Sequence, residues 1–296
     1  MKEIAYSEEE TVKVGDIEIA YDTFGDPSDP PMLLVMGLGA QMIRWDEVFC
    51  KALASQGRWV IRFDNRDVGL SSKFDDAGVP NVMALIGGQT IDIPYKLIDM
   101  AGDAVGLLDT LGIKEADVVG VSMGGMIAQT MAIHYPDRVR TLTSIMSSTG
   151  NPKLPQPTDD AMAALLAPPA SNRDEYIKNS LMGAKILHGP HYPLDEDYVR
   201  NYSEISYDRC YNPQGFTRQL AAVLASGSRN EELGKVKIPT LVIHGDADPL
   251  VPVEGGKDTA KSIPNADLLI IEGMGHSFPT EVVPQILQAI LKHTAS

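Results

Sequence analysis

Two cysteines, Cys50 and Cys210, are all that the 296 residues contain, too few for a disulfide framework and without a redox motif beside them. Both are expected as buried or incidental thiols. Positive charge is also scarce. Lys and Arg number 25 against 40 Asp and Glu, a net charge of −15, and this excludes nucleic acid as a partner because phosphate binding needs clustered basic residues. The acidic balance reads as a device for solubility, and it disfavours a strongly anionic substrate only where the field reaches a pocket mouth. No run approaches the ~20 apolar residues of a membrane span, so no membrane partner is expected. The first ten residues lack an apolar stretch before Glu8, Glu9 and Glu10, which argues against a secretory leader and for a cytoplasmic protein.

Metal-ligand patterning is missing as well. His188 and His191 flank Gly189-Pro190 without a third ligand at suitable spacing, while His134 and His293 read as polar contacts on helices. His244 ends a strand and is a candidate hydrogen-bond partner for the loop after it. The expectation is therefore no metal and no cofactor. Internal repeats and low-complexity tracts are also absent.

What is present is a chain 44% apolar and long enough to bury a large core. Residues 11–21 alternate about Gly15-Asp16 as an antiparallel hairpin at a sheet edge. Apolar, β-branched runs follow at about 32–36, 58–63, 116–121, 141–146, 239–244 and 267–272, with helical stretches between them. Hairpin and runs together predict an α/β fold with a mostly parallel eight-stranded sheet and helices on both faces.

Two segments interrupt this rhythm. Ser71 to Pro94, rich in glycine and proline, reads as a long loop at the C-terminal end of a strand, where such loops line sites. The second, residues 150–233, opens on Asn151-Pro152-Lys153-Leu154-Pro155 and continues with helical patterning. The division is thus a core of 1–149 and 234–296 with a helical insertion at 150–233. Its tyrosines, 176, 192, 198, 202, 207 and 211, and Phe216 are mostly core of that insertion, with one or two available to a substrate.

The most specific chemistry lies at Gly120-Val121-Ser122-Met123-Gly124, a G-x-S-x-G sequence with a strand before it and a helical pattern after it. A serine there sits on a tight turn that small neighbours permit, with Oγ exposed as a nucleophile. A base and an acid follow in order. The strand at 239–244 leads to Asp246-Ala247-Asp248-Pro249, and the strand at 267–272 leads to Gly273-Met274-Gly275-His276. Ser, Asp, His in that order, all beyond the carboxyl ends of strands, is one arrangement of a nucleophile, its base and an orienting acid. Asp246 and Asp248 are both candidates for the acid.

These motifs, with Met36-Gly37-Leu38-Gly39, residues 64–71 and Tyr135-Pro136-Asp137-Arg138-Val139, resemble the serine α/β-hydrolase superfamily over nearly the whole chain. The look is closest to bacterial carboxylesterases of the aclacinomycin methylesterase group. The resemblance implies the α/β-hydrolase fold, with residues 150–233 as a helical cap (lid) over the site. It implies Ser122 as nucleophile, His276 as base and Asp248, the aspartate before proline, as acid. The backbone N–H groups of Leu38 and Met123 are implied as the oxyanion hole. Many relatives carry histidine where this chain has Met36, which leaves open what supports the Leu38 loop.

The implied activity is cofactor-free hydrolysis of a small or medium carboxylic ester through an acyl-enzyme, including methyl esters of larger polyketide-like acids. Carbon–carbon bond hydrolase, lactonase, acyltransferase and perhydrolase activities use the same triad. A non-catalytic ligand-binding role is the reading from another class. The expected partner is a small-molecule ester, and homo-oligomer formation is left open. Asp248→Asn is expected to lower kcat by roughly 10⁴-fold in a steady-state ester assay, with Asp246→Asn near wild type. The opposite result would move the acid to Asp246.

Overall fold

The computed structural model describes residues 4–295. Met1, Lys2, Glu3 and Ser296, which belong to the expected leader-free start and to the ends of the expected core, lie outside them. Among the described residues, eight strands form one sheet: β1 (Glu10–Val14), β2 (Ile17–Phe24), β3 (Pro31–Val35), β4 (Trp59–Phe63), β5 (Ala116–Val121), β6 (Val139–Ile145), β7 (Thr240–Gly245) and β8 (Asp267–Ile271). Their order is β1-β2-β4-β3-β5-β6-β7-β8. β2 is antiparallel to β1 and β4, and every other pairing is parallel. The hairpin therefore occupies one edge, as its alternation predicts.

β5 is central, with Val118 paired to Leu33 of β3 and to Leu142 of β6. All six of its residues are buried. A strand covered on both faces by crossover helices favours apolar side chains on both, which is why Val118 to Val121 lacks alternation. Asp117, the buried exception, is paired with Arg140 and accepts from Thr141 O–H at 2.7 Å. In β3 the pleat sends Leu33 and Val35 into one apolar layer and Met32 and Leu34 into the other.

The helices are α1 (Glu47–Ala54), α2 (Val82–Ile86), α3 (Leu97–Thr110), α4 (Met123–His134), α5 (Asp159–Leu165), α6 (Arg173–Leu187), α7 (Glu196–Arg209), α8 (Pro213–Ser226), α9 (Asn230–Leu233), α10 (Glu254–Ser262) and α11 (Val283–His293). Met100 and Ala104 of α3 and Ile127 and Met131 of α4 fill the Leu33 layer. Leu53 of α1 and Ile286 and Ile290 of α11 fill the Met32 layer. Helices α5 to α9 all fall between β6 and β7, where the insertion is expected.

The segment from Ser71 to Pro94 differs from a plain loop. It contains α2, whose N-cap Asn81 accepts a hydrogen bond from Ala84 N–H at 3.1 Å. Five residues are too few to show apolar periodicity, so the cap was the signal available.

The turn after β4 ties the insertion to the core. Asp64 and Asp67 are fully buried. Asp64 accepts from Met42 N–H (2.7 Å), Leu70 N–H (2.8 Å) and Arg209 of α7 (2.7 Å). Asp67 takes both arms of the fully buried Arg218 of α8 at 2.8 Å, with Tyr95 O–H at 2.6 Å and Phe74 N–H at 2.9 Å. Burial works against the Asp67 charge, but Arg218, Tyr95 and Phe74 together hold its carboxyl below the usual range. Removing one partner of such a pair leaves a charge buried without compensation, at a cost of about 3–5 kcal/mol. Arg218→Met is accordingly expected to lower the urea unfolding free energy by about that amount. A loss under 1 kcal/mol would show that the pair does not anchor α8.

Candidate active site

Ser122 joins β5 to α4 with φ 54° and ψ −121°, a conformation that a serine adopts only under constraint. Its N–H donates to Ile145 C=O at 2.9 Å. The turn closes because its flanking positions have no side chain. A Cβ on Gly120 would lie 2.1 Å from Gly124 C=O, and one on Gly124 would lie 2.1 Å from Val35 C=O. Both distances are inside any van der Waals contact.

Three of the sequence candidates lie in one hydrogen-bonded row. His276 Nε2 is 3.0 Å from Ser122 Oγ, and His276 Nδ1 is 2.7 Å from Asp248 Oδ2. An ionised carboxylate only accepts, so Nδ1 carries the proton and Nε2 is left bare to accept from the serine hydroxyl. Asp248 is buried, and its Oδ1 accepts from Leu250 N–H at 2.9 Å and Val251 N–H at 2.8 Å. Burial disfavours this charge, yet His276, His244 and the Val251 N–H outweigh it and hold the carboxyl far below the ordinary range. Asp246, the rival, is exposed and accepts from Gly273 N–H at 2.6 Å.

His244 stands behind the acid. Fully buried, it donates Nε2–H to Val251 C=O at 2.8 Å with the same nitrogen 3.5 Å from Asp248 Oδ2. His188 has a place that its sequence context does not reveal. Its Nε2–H donates to Pro193 C=O at 3.1 Å, so Nδ1 accepts from Ser277 O–H at 2.9 Å. At the end of α6, Leu187 C=O accepts from His276 N–H at 2.6 Å and His188 C=O from Gly275 N–H at 3.2 Å. The histidine loop is thereby held by the insertion.

On the other side of Ser122, the turn Gly37-Leu38-Gly39-Ala40 packs so closely that a Cβ on Gly37 would be 3.2 Å from Ser122 Cβ. Leu38 and Met123 N–H have no acceptor among the described residues, Met123 because it opens α4. Asn65 Nδ2 donates to Met36 C=O at 2.9 Å, and Gln219 of α8 accepts from Gly39 N–H at 2.8 Å. Asn65 lies within a motif visible in the sequence; Gln219 carries no local signal. Leu38 packs in an apolar cluster with Leu85, Ile93, Leu165, Leu166 and Phe216, none of them fully buried.

The tyrosines of the insertion fall into three settings, with Tyr192 by itself donating its O–H to Glu272 C=O at 3.0 Å. Tyr176, Tyr207 and Tyr211 pack on one another with centroids 5.0–5.5 Å apart. Tyr198 and Tyr202 flank the Arg44 guanidinium at 5.5 and 4.7 Å.

A family model described as the alpha/beta hydrolase fold matches residues 30–281. This chain belongs to that family. The α/β hydrolase is similar to the rhodomycin D methylesterases of Streptomyces sp. strain C5 and Streptomyces peucetius. It is 29% identical to each, over 94% of this chain and 95% of theirs. Among solved structures it is similar to the 2-hydroxy-6-oxo-6-phenylhexa-2,4-dienoate hydrolase of Rhodococcus sp. strain RHA1. There the TM-score is 0.76 at 21% identity, covering 99% of this chain and 100% of that one, a likeness of fold.

Because the folded state lowers the Asp248 pKa, the ionised carboxylate contributes stability above the unfolded value near 4, and that contribution is lost as pH falls through the folded value. Urea titrations of wild type and Asp248→Asn are therefore expected to differ by a steady margin at pH 5 that shrinks below about pH 4. A margin that grows on acidification would contradict this linkage.

Proposed function

We propose that the protein is a serine carboxylesterase and that the row Ser122–His276–Asp248 is its catalytic triad. The observation that carries this is the bare His276 Nε2 at 3.0 Å from Ser122 Oγ, with the other ring nitrogen held by Asp248 at 2.7 Å. A serine hydroxyl is a weak nucleophile at its own pKa and needs a base within hydrogen-bond reach.

In this reading Oγ attacks the ester carbonyl carbon as its proton passes to His276 Nε2. Asp248 stabilises the imidazolium and does not itself take the proton. The negative charge formed on the carbonyl oxygen meets Leu38 N–H and Met123 N–H, each worth ~3 kcal/mol in the transition state. Collapse of the tetrahedral adduct expels the alcohol, which receives the proton from His276. Water, deprotonated by the same nitrogen, then adds to the acyl-enzyme, and a second collapse releases the carboxylic acid and restores the serine.

Ester chemistry draws support from the two methylesterase relatives, which match nearly end to end. The apolar side chains around Leu38, drawn from residues 71–94 and from α5 and α8, favour an ester whose larger part is apolar. Residues 150–233 then serve as the cap that bounds the substrate. Chemistry of the triad alone is shared with carbon–carbon bond hydrolases, lactonases, acyltransferases and perhydrolases, so the assay must distinguish the bond cleaved.

A panel of p-nitrophenyl and methyl esters, with fluorophosphonate labelling, tests the proposal. Wild type is expected to label and to turn over apolar esters, while Ser122→Ala does not label and loses roughly 10⁶-fold in kcat. Folded wild type that neither labels nor cleaves esters would overturn the reading. Rapid cleavage of ring-fission dienoates with negligible ester turnover would replace esterase by carbon–carbon hydrolase.

A further inference from the structure

The turn carrying Leu38 is short and glycine-rich, so groups outside it must fix the direction of its N–H groups. Three successive peptide planes can be followed. The Met36–Gly37 plane is held by Asn65 Nδ2 on Met36 C=O at 2.9 Å. The Gly37–Leu38 plane, whose N–H is the proposed oxyanion donor, has among the described residues only the Ala40 N–H to Gly37 C=O contact, long at 3.3 Å. The Leu38–Gly39 plane is held from outside the turn by Gln219 Oε1, 2.8 Å from Gly39 N–H.

We infer that Gln219 is the positioning residue of the oxyanion turn. Its side chain is fully buried and both ends of its amide are used, Oε1 on Gly39 N–H and Nε2 on Arg66 C=O at 2.7 Å. The amide thus joins the turn to the segment after β4. That segment is rigid, since Asp64 and Asp67 are buried with several donors each. The next residue back on α8, Arg218, binds Asp67 and so fixes the helix from which Gln219 reaches.

Gly39 has φ +65° at the third position of the Gly37–Ala40 turn, the sign found in type II turns. The alternative type I turn differs by a flip of the Leu38–Gly39 plane, which changes ψ of Leu38 and φ of Gly39. Gln219 opposes that flip because it would remove the only acceptor Gly39 N–H has among the described residues, from a half-buried amide. Peptide planarity carries the effect along the chain, so loosening this plane loosens its neighbour bearing Leu38 N–H. Gln219 touches no reacting atom in this account and acts through Gly39.

The inference rests on the esterase reading, and its test separates the two. Gln219→Met keeps length and bulk but loses both hydrogen bonds; Gln219→Glu keeps an acceptor for Gly39 N–H. Each variant is assayed as full-length protein on an ester the wild type cleaves, with kcat taken per site labelled to completion by fluorophosphonate, so that misfolded protein is not counted. Expected for Gln219→Met is a fall in kcat of about 10²-fold, the scale of a misplaced catalytic group, with KM within threefold. The Ki of a trifluoromethyl ketone, whose adduct places an oxyanion in the hole, should rise in parallel, and Gln219→Glu should fall between Gln219→Met and wild type. A kcat within threefold of wild type for Gln219→Met, or a loss of kcat with unchanged Ki, overturns the inference while the esterase reading stands. Wild type inactive on every ester overturns the esterase reading itself.

Discussion

Two carboxylates buried at the end of β4 constrain the rest of this molecule. Asp64 and Asp67 have no access to water, and a buried charge is tolerable only when paired and fully hydrogen-bonded. The cations that pair them, Arg209 and Arg218, come from α7 and α8, about 150 residues later. The insertion therefore has one seat on the core. A hydrophobic contact would tolerate a slide by part of a turn, whereas a bidentate guanidinium on a carboxylate does not, because its two donors must meet two oxygens. What these pairs contribute most is placement, since desolvation consumes much of the Coulombic gain.

Placement matters because the insertion reaches both sides of Ser122. α8 supplies Gln219 to the Leu38 turn, and the end of α6 supplies two carbonyls to the backbone of Gly275 and His276. Residues 150–233 thus support the backbone around Ser122: the histidine loop and the glycine-rich turn both hydrogen-bond to them. Domain boundaries drawn at 150 and 233 divide the chain by pattern, while the hydrogen bonds of the site cross them.

Local features carried most of what the sequence made legible. Buried parallel strands are rich in apolar residues, and the six expected runs agree with β3 to β8 to within two residues, while β2 extends three residues past the expected hairpin. The elbow at Ser122 was legible because its glycines are demanded by contacts within five residues and with the adjoining strand. Asp246 and Asp248 differ in what surrounds them, one exposed at Gly273 and one buried against His276, and only the acid-before-proline resemblance separated them beforehand. Gln219 and the carbonyls of Leu187 and His188 were illegible for a different reason. Backbone carbonyls have no residue identity, and a glutamine on a helix reads as surface unless the partner 180 positions away is known. The short α2 was lost inside Ser71 to Pro94 because five residues do not define a period.

The same geometry bears on charge separation in the proposed reaction. As Ser122 attacks, a positive imidazolium forms at His276 and a negative oxygen forms beside Met123 N–H. α4 presents its N-terminus to the negative centre, and α6, fifteen residues long, ends at the backbone of His276, with its terminal carbonyls aimed at that loop. A helix end carries about half an elementary charge, positive at the N-terminus and negative at the C-terminus, and each favours an opposite charge by ~0.3–1 kcal/mol at exposed sites and more where water is excluded. The ion pair of the transition state would then lie between two helix ends of matching sign, one from the core and one from the insertion. That arrangement requires no motion when the charges appear, which is the condition under which fixed dipoles lower a barrier most. It also gives α6 a reason to end where it does, at Leu187, two residues before Gly189-Pro190: a longer helix would turn its last carbonyls inward to its own backbone and away from His276.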